Sequence, residues 1–300
     1  MIFPWESALT NESAFVGINI FRKIFTDLVT NGRYSAPRGQ LILELEDYSF
    51  ILPARIRFQN FECRKFKLDY LKDEFLWYLK GDRFDVSIGK KAKIWKSIIN
   101  QDGSLNSNYG QYIFPPGGQF DRTVECLEHD QDSRRASIVI LSQDHVLSET
   151  NDLPCTYALN FRIRHDELKM SVHMRSQDAI FGMGNDIPTF SFVHEMVYNA
   201  LRTKYPRLAM GTYHHCVDSF HVYERHFQML REITGRDLSG APLPASILSA
   251  YIPIECPNIS GHDEVRFLRA LDFSEIPESF KFTRWLNERD SGTMKDKVPA

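Results

Sequence analysis

The stretch YALNFRIRHDELKMSVHMRSQDAIFGMGNDIPTFSFVHEMVYNALRTKY, residues 157–205, holds the pattern that decides the fold. Residues 157–174 alternate apolar and polar, with His165-Asp166 in the middle, so they predict two strands joined by a tight turn. Glycines then crowd residues 182–184, and the chain is expected to bend there, ending at Asn185-Asp186. From 189 to 205 the period changes to that of a helix, with Phe192, Val193, Met196, Val197 and Leu201 facing inward. A second helix is predicted over 67–81, where Leu68, Leu71, Phe75, Leu76 and Leu79 share a face and Gly81 stops the run. Residues 220–234 read as a strand end passing into a third helix, and 113–121 (IFPPGGQFD) as a loop. The polar tail 287–300 is expected to be mobile. Strands and helices mixed in this way imply an α+β fold, one domain (1–300) built around a sheet.

Bulk composition narrows the function classes. With a net charge of −3, the chain has no general basic field for wrapping long nucleic acid, although a few clustered arginines could hold one phosphate. No uninterrupted run of roughly 18 apolar residues occurs, and no membrane span is expected. The start MIFPWESALTNESAF lacks the pattern of a signal peptide. The 5 cysteines form no CxxC pair, so reduced thiols in a cytoplasmic protein are expected.

Several residues could carry chemistry, each with a plainer reading beside it. Cys155 lies at a loop–strand junction, either as a small core hydrophobe or as a thiolate favoured by nearby arginines. Arg134-Arg135 and Arg175-Ser176 offer guanidinium forks and a hydroxyl suited to a phosphate dianion, or simply surface charge. Glu74 falls on an apolar helical stretch, where it either reaches solvent or works as an acid/base with a raised pKa. His214-His215-Cys216 invites a zinc reading, but adjacent residues of a strand face opposite ways and no matching pair completes a site, so no metal is expected.

Taken in order, DEFLWYLKGD (73–82), KIWKSIINQDGSLNSNYG (93–110), DSRRA (132–136), LPCTYALNF (153–161), MRSQDAIFGMGNDI (174–187) and DSFHVYERHF (218–227) resemble the thymidylate synthase superfamily. The resemblance spans roughly 67–230, leaving the N-terminal portion (about 1–65) and the C-terminal portion (about 235–300) divergent. It implies a large twisted mixed sheet with packed helices, and a homodimer with sheets back to back and a shared phosphate site. Cys155 then looks like the nucleophile, with Glu74, Tyr109 and Asp178 organising water, proton transfer and the folate. Arg134 and Arg135 look like phosphate ligands for the partner subunit, and Arg175 and Ser176 like ligands within the chain. One more phosphate arginine is expected near the N-terminus, Arg33 first and Arg38 as the substitute. His221 and Tyr223, two apart on an extended segment and so on one face, look like the ribose pair. The implied co-substrate is 5,10-methylene-tetrahydrofolate.

Departures from an ordinary synthase sharpen the expectation. A synthase carries asparagine at the corner before the helix, and its amide reads uracil. Here the corner is Asp186. A carboxylate sets acceptor against acceptor at uracil O4, whereas it can accept from the 4-amino group of cytosine and share a proton with N3. The plainer reading of Asp186 is a helix cap. Thr156 after the nucleophile and Met174 before the arginine also depart from the synthase pattern. Together these features resemble the cytidylate and deoxycytidylate 5-hydroxymethylase branch, known from nucleoside-antibiotic pathways and from phage, in which water captures a C5 methylene intermediate. The divergent ends lean toward CMP over dCMP as the small-molecule substrate. Two alternatives remain open: a synthase methylating a uracil nucleotide, and a non-catalytic nucleotide-binding relative.

Overall fold

The computed structural model describes residues 11–235 except 55 and 60. The divergent C-terminal portion and the tail at 287–300 therefore lie outside the described residues. In chain order the helices are α1 (Asn11–Asn31), α2 (Leu68–Lys80), α3 (Lys93–Ser97), α4 (Gly110–Ile113), α5 (Gln119–His129), α6 (Gln143–Leu147), α7 (Gly182–Leu201) and α8 (Phe227–Gly235). The strands are β1 (Arg33–Ser35), β2 (Ile42–Leu52), β3 (Ser137–Val139), β4 (Thr156–Arg164), β5 (Glu167–Met174), β6 (Gln177–Asp178) and β7 (Ala209–Tyr223).

Among the described residues all seven strands join one mixed sheet in the order β1-β2-β7-β5-β4-β3, with β6 also pairing β7. The α+β expectation is met. The β4–β5 hairpin turns where the sequence pattern placed it. His165 and Asp166 take positive φ of 56° and 58°, the left-handed pair that a two-residue hairpin needs. The central strand β7 runs parallel to β5 and β6 but antiparallel to β2. A parallel neighbour requires a crossover, and α7 supplies it, packing on β5 and β7 and against α2 and α5. Enclosed by these neighbours, α7 is buried nearly all round, from Met183 to Leu201.

Two boundaries differ from the sequence expectation. The bend expected at 182–186 is the first part of α7, which starts at Gly182 and ends at Leu201 rather than running from 189 to 205. Its glycines serve close packing. A Cβ on Gly184 would lie 2.3 Å from the Arg64 guanidinium, and one on Gly182 would lie 2.7 Å from Gln177 Nε2. The loop expected at 113–121 is confined to 114–118, between α4 and α5. The helix over 68–80 ends as its sequence predicts, with Gly81 at φ 61° closing the last turn through its N–H to Trp77 O.

Candidate active site

Cys155 immediately precedes β4, at the strand–loop junction the sequence indicated. Arg175, across the hairpin, holds the loop before it. Its Nε and Nη2 donate to Pro154 O (2.9 Å) and Leu153 O (2.7 Å), and Nη2 lies 3.5 Å from Cys155 Sγ. Burial pushes the Cys155 thiol up from its ordinary value, while Arg175, and to a smaller extent Arg38, pull it back down.

Tyr109 closes the site from another direction. The NSNYG loop is tied to the nucleophile loop by Asp152, which accepts from Ser107 N–H (2.7 Å) and the Ser107 hydroxyl. Asn106 Nδ2 adds a bond to Asp152 O at 3.0 Å. Asn108 Nδ2 anchors the same loop to the end of α2 through Asp82 O (2.9 Å). Gly110 has no alternative here, because a Cβ would fall 1.5 Å from Tyr78 O. The loop is thereby pressed onto α2, where Tyr109 stacks on Tyr78 with centroids 5.5 Å apart and receives the Cys155 N–H on its hydroxyl at 3.3 Å.

The opposite wall is carboxylic. Glu74 is buried in α2, and burial, reinforced by the charge of Asp186, pushes its pKa up to about 8. Tyr70, one turn earlier, donates to Glu74 Oε1 (2.8 Å) while accepting from Trp95 Nε1 (2.7 Å). Asp186 keeps some contact with solvent, yet the surrounding protein pushes its pKa up to about 6, against the opposing bond from Gln177 Nε2 to Oδ2 at 2.8 Å. It is not an N-cap. It lies in the second turn of α7, and its only side-chain partner among the described residues is Gln177. The charge of Asp186 is felt at Glu74, Cys155 and Tyr109, which brings these four side chains into one site. Arg64, itself buried, holds the start of α7, donating to Ile180 O (2.8 Å) and Asn185 Oδ1 (3.0 Å). Burial pulls its pKa down to about 10 against the opposing charges of Asp178 and Glu74, and its own charge lowers Glu74 in turn.

The register places the remaining expected residues. β6 pairs Asp178 with His221 of β7, so the two motifs meet at the sheet end. His221 is buried and sits edge-on to Tyr223 at 5.0 Å. Asp178 Oδ1 accepts from Ile180 N–H (2.9 Å), and Oδ2 is uncommitted among the described residues. Ser176 is half-buried in the kink between β5 and β6. Arg33 is exposed on the edge strand opposite Glu44, whereas Arg38, held at φ 54°, is the arginine whose charge reaches Cys155. Arg134 and Arg135 are exposed in the loop before β3. There Ala136 O accepts from Phe161 N–H, six residues along β4 from Cys155. That is roughly 20 Å at the rise of a strand, so both arginines stand at the far end of the sheet from the nucleophile of their own chain. Among the described residues no group of His, Cys, Asp or Glu is gathered for a cation; His215 of the HHC run is buried and His214 faces the other side.

Sequence reasoning missed Arg64, Tyr70, Trp95, Gln177 and Tyr213, and it weighed His215 only as a zinc ligand. Tyr70 alone carried a local signal, standing one helical turn before Glu74 on the same face.

The site and fold have a counterpart among known proteins. The thymidylate synthase family profile matches residues 19–252, and the chain belongs to that family, on its hydroxymethyltransferase branch. It is 30% identical over 171 residues to the deoxycytidylate 5-hydroxymethyltransferase of Enterobacteria phage T6, covering 54% of this chain and 70% of that one. The corresponding phage T4 protein is 29% identical over the same length. The deoxyuridylate hydroxymethyltransferase of Bacillus phage SP01 is 28% identical over 221 residues, 68% of this chain and 56% of its own. Relatives on this branch are thus named for different bases.

Proposed function

We propose that this protein hydroxymethylates C5 of a cytosine nucleoside monophosphate, CMP or dCMP. The observation that carries the reading is Asp186, a carboxyl in the same site as Cys155 with a pKa raised to about 6. Such a group keeps a proton available to share with cytosine N3 while its other oxygen accepts from the 4-amino group, and in its ionised form it sets acceptor against acceptor at uracil O4.

Cys155 Sγ adds to C6, which raises electron density at C5. Phosphate arriving beside Arg175 and Ser176 draws on a guanidinium that already touches the thiol. Arg38 is the better placed N-terminal phosphate ligand, since its charge and not that of Arg33 is felt at Cys155. His221 and Tyr223 hold the sugar hydroxyl. Arg134 and Arg135, remote from their own Cys155, serve the partner subunit of a homodimer. The uncommitted Oδ2 of Asp178 suits the N–H-rich edge of a pterin, so the residues present fit 5,10-methylene-tetrahydrofolate. When bound, the folate supplies the one-carbon unit. Glu74, protonated near neutral pH, and the Tyr109 hydroxyl hold and orient the water that becomes the new hydroxyl.

The test is a competition of CMP, dCMP, UMP and dUMP with methylene-tetrahydrofolate and the purified protein, read by mass spectrometry. A hydroxymethyl gain on a cytosine nucleotide is expected and also names the sugar. A methyl or hydroxymethyl gain on a uracil nucleotide instead would overturn the reading of Asp186.

A further inference from the structure

An acid at position 186 does not by itself specify cytosine. A protonated carboxyl has one O–H donor and one acceptor oxygen, and which base it complements depends on which oxygen holds the proton. With the acceptor toward the 4-position and the O–H toward N3 it matches cytosine. With the two exchanged it matches uracil, donating to O4 and accepting from N3–H. Something else must choose between these two forms.

Behind Asp186 lies a buried chain of hydrogen bonds. Gln177 Nε2 contacts Asp186 Oδ2 at 2.8 Å, and Gln177 Oε1 lies 3.1 Å from His215 Nε2. His215 Nδ1 is 2.9 Å from the Tyr213 hydroxyl. Gln177, His215 and Tyr213 are each at most 2% exposed, so water cannot substitute for any link. The sense of the chain follows from its chemistry. An amide that presents NH₂ to Asp186 must present its carbonyl to His215. His215 then carries its hydrogen on Nε2, and its bare Nδ1 accepts from the Tyr213 O–H. Burial lowers the His215 pKa to about 3, so the ring stays neutral, and its two buried partners set which nitrogen carries the hydrogen. Room for the amide is reserved by Gly182, where a Cβ would come within 2.7 Å of Gln177 Nε2.

We infer that Gln177, oriented by His215 and Tyr213, is a specificity-determining positioning residue that makes Asp186 Oδ2 the accepting oxygen, favouring the proton on Oδ1 and so favouring the cytosine form over the uracil form. The inference rests on Asp186 as the base reader, and it adds that Oδ2 is the oxygen that meets the 4-amino group. The role of Gln177 is largely one of exclusion: it removes the donor that uracil O4 would need.

The experiment measures kcat/KM for cytosine and uracil nucleotides in Gln177→Met, Tyr213→Phe and Asp186→Ala, with folding checked by thermal unfolding. In Gln177→Met the cytosine-to-uracil ratio is expected to fall by about 10- to 100-fold, the usual worth of a charge-assisted buried hydrogen bond, and part of the fall is a gain on uracil. A purely structural role would lower both bases alike. Tyr213→Phe removes only the last link and is expected to move the ratio the same way by a few-fold, about the worth of one neutral bond. It is the deciding variant if Gln177→Met does not fold. Unchanged ratios in the folded relay variants, with the ratio lost in Asp186→Ala, overturn the relay alone. A ratio retained in Asp186→Ala overturns the base reading beneath it.

Discussion

On both walls of the site burial raises the acid groups, but their neighbours treat them differently. On the nucleophile wall, burial raises the Cys155 thiol, yet a guanidinium lies 3.5 Å from its sulfur and lowers it again. On the carboxylic wall, Glu74 and Asp186 are raised by the same cause, and the charge of Asp186 pushes Glu74 further up. Their direct partners there are neutral, Tyr70 for one and Gln177 for the other. Burial is thus the common background, and the nearest partner decides the job. The group that must become an anion has a cation beside it, whereas the groups that must keep a proton have only neutral donors in contact.

The largest test of this contrast removes the nucleophile. Cys155→Ser should lower turnover on the order of 10³- to 10⁶-fold while nucleotide binding, followed by calorimetry, persists. Near-normal rates would leave the nucleophile wall without a purpose.

Glu74→Gln comes next, with kcat lowered on the order of 10²- to 10⁴-fold. It also has a signature in stability. A carboxyl with a higher pKa in the folded chain than in the unfolded chain holds its proton more tightly when folded. Its contribution is therefore full at low pH and is withdrawn as the pH rises from the ordinary carboxylate range through about 8. Thermal unfolding should show the wild type losing stability across that window and Glu74→Gln losing less. Parallel curves would mean that Glu74 is not held protonated.

Arg175→Lys keeps the charge but loses the fork that grips Pro154 and Leu153. The Cys155 thiol should titrate at higher pH, and kcat/KM should fall about tenfold, the scale of one charged hydrogen bond. A thiolate absorbance titration reads the first effect directly. Tyr70→Phe should be mildest, a few-fold in kcat for one lost bond, with the basic limb of the pH profile moved upward because the Tyr70 hydroxyl helps hold Glu74 down. An unmoved limb would detach Tyr70 from the proton chemistry.

How much of this could be read from the chain depended on how local the cause was. The helix at 68–80 and the His165-Asp166 hairpin were legible because period, turn residues and the stopping glycine act within a few positions. The start of α7 was not, since Gly182 and Gly184 look like breakers in sequence. They are small because Gln177 and Arg64, the latter more than a hundred residues away, lie against them. Glu74, Tyr109, Cys155 and Asp186 stood out by residue type at a telling place, and the folded chain gathers them. Gln177 and Tyr213 did not, and His215 drew only a metal reading, because their shared role comes from pairing β6 and β7 side by side, a long-range event with no mark of its own in the sequence.

The length of β4 carries a genetic consequence. It sets Cys155 at one end and Arg134-Arg135 near the other, so in the proposed homodimer no subunit is self-sufficient. Two defective alleles, one with Cys155→Ser and one with both arginines replaced, should then rescue each other when co-expressed. The mixed pair contains one pocket in which an intact cysteine meets intact arginines.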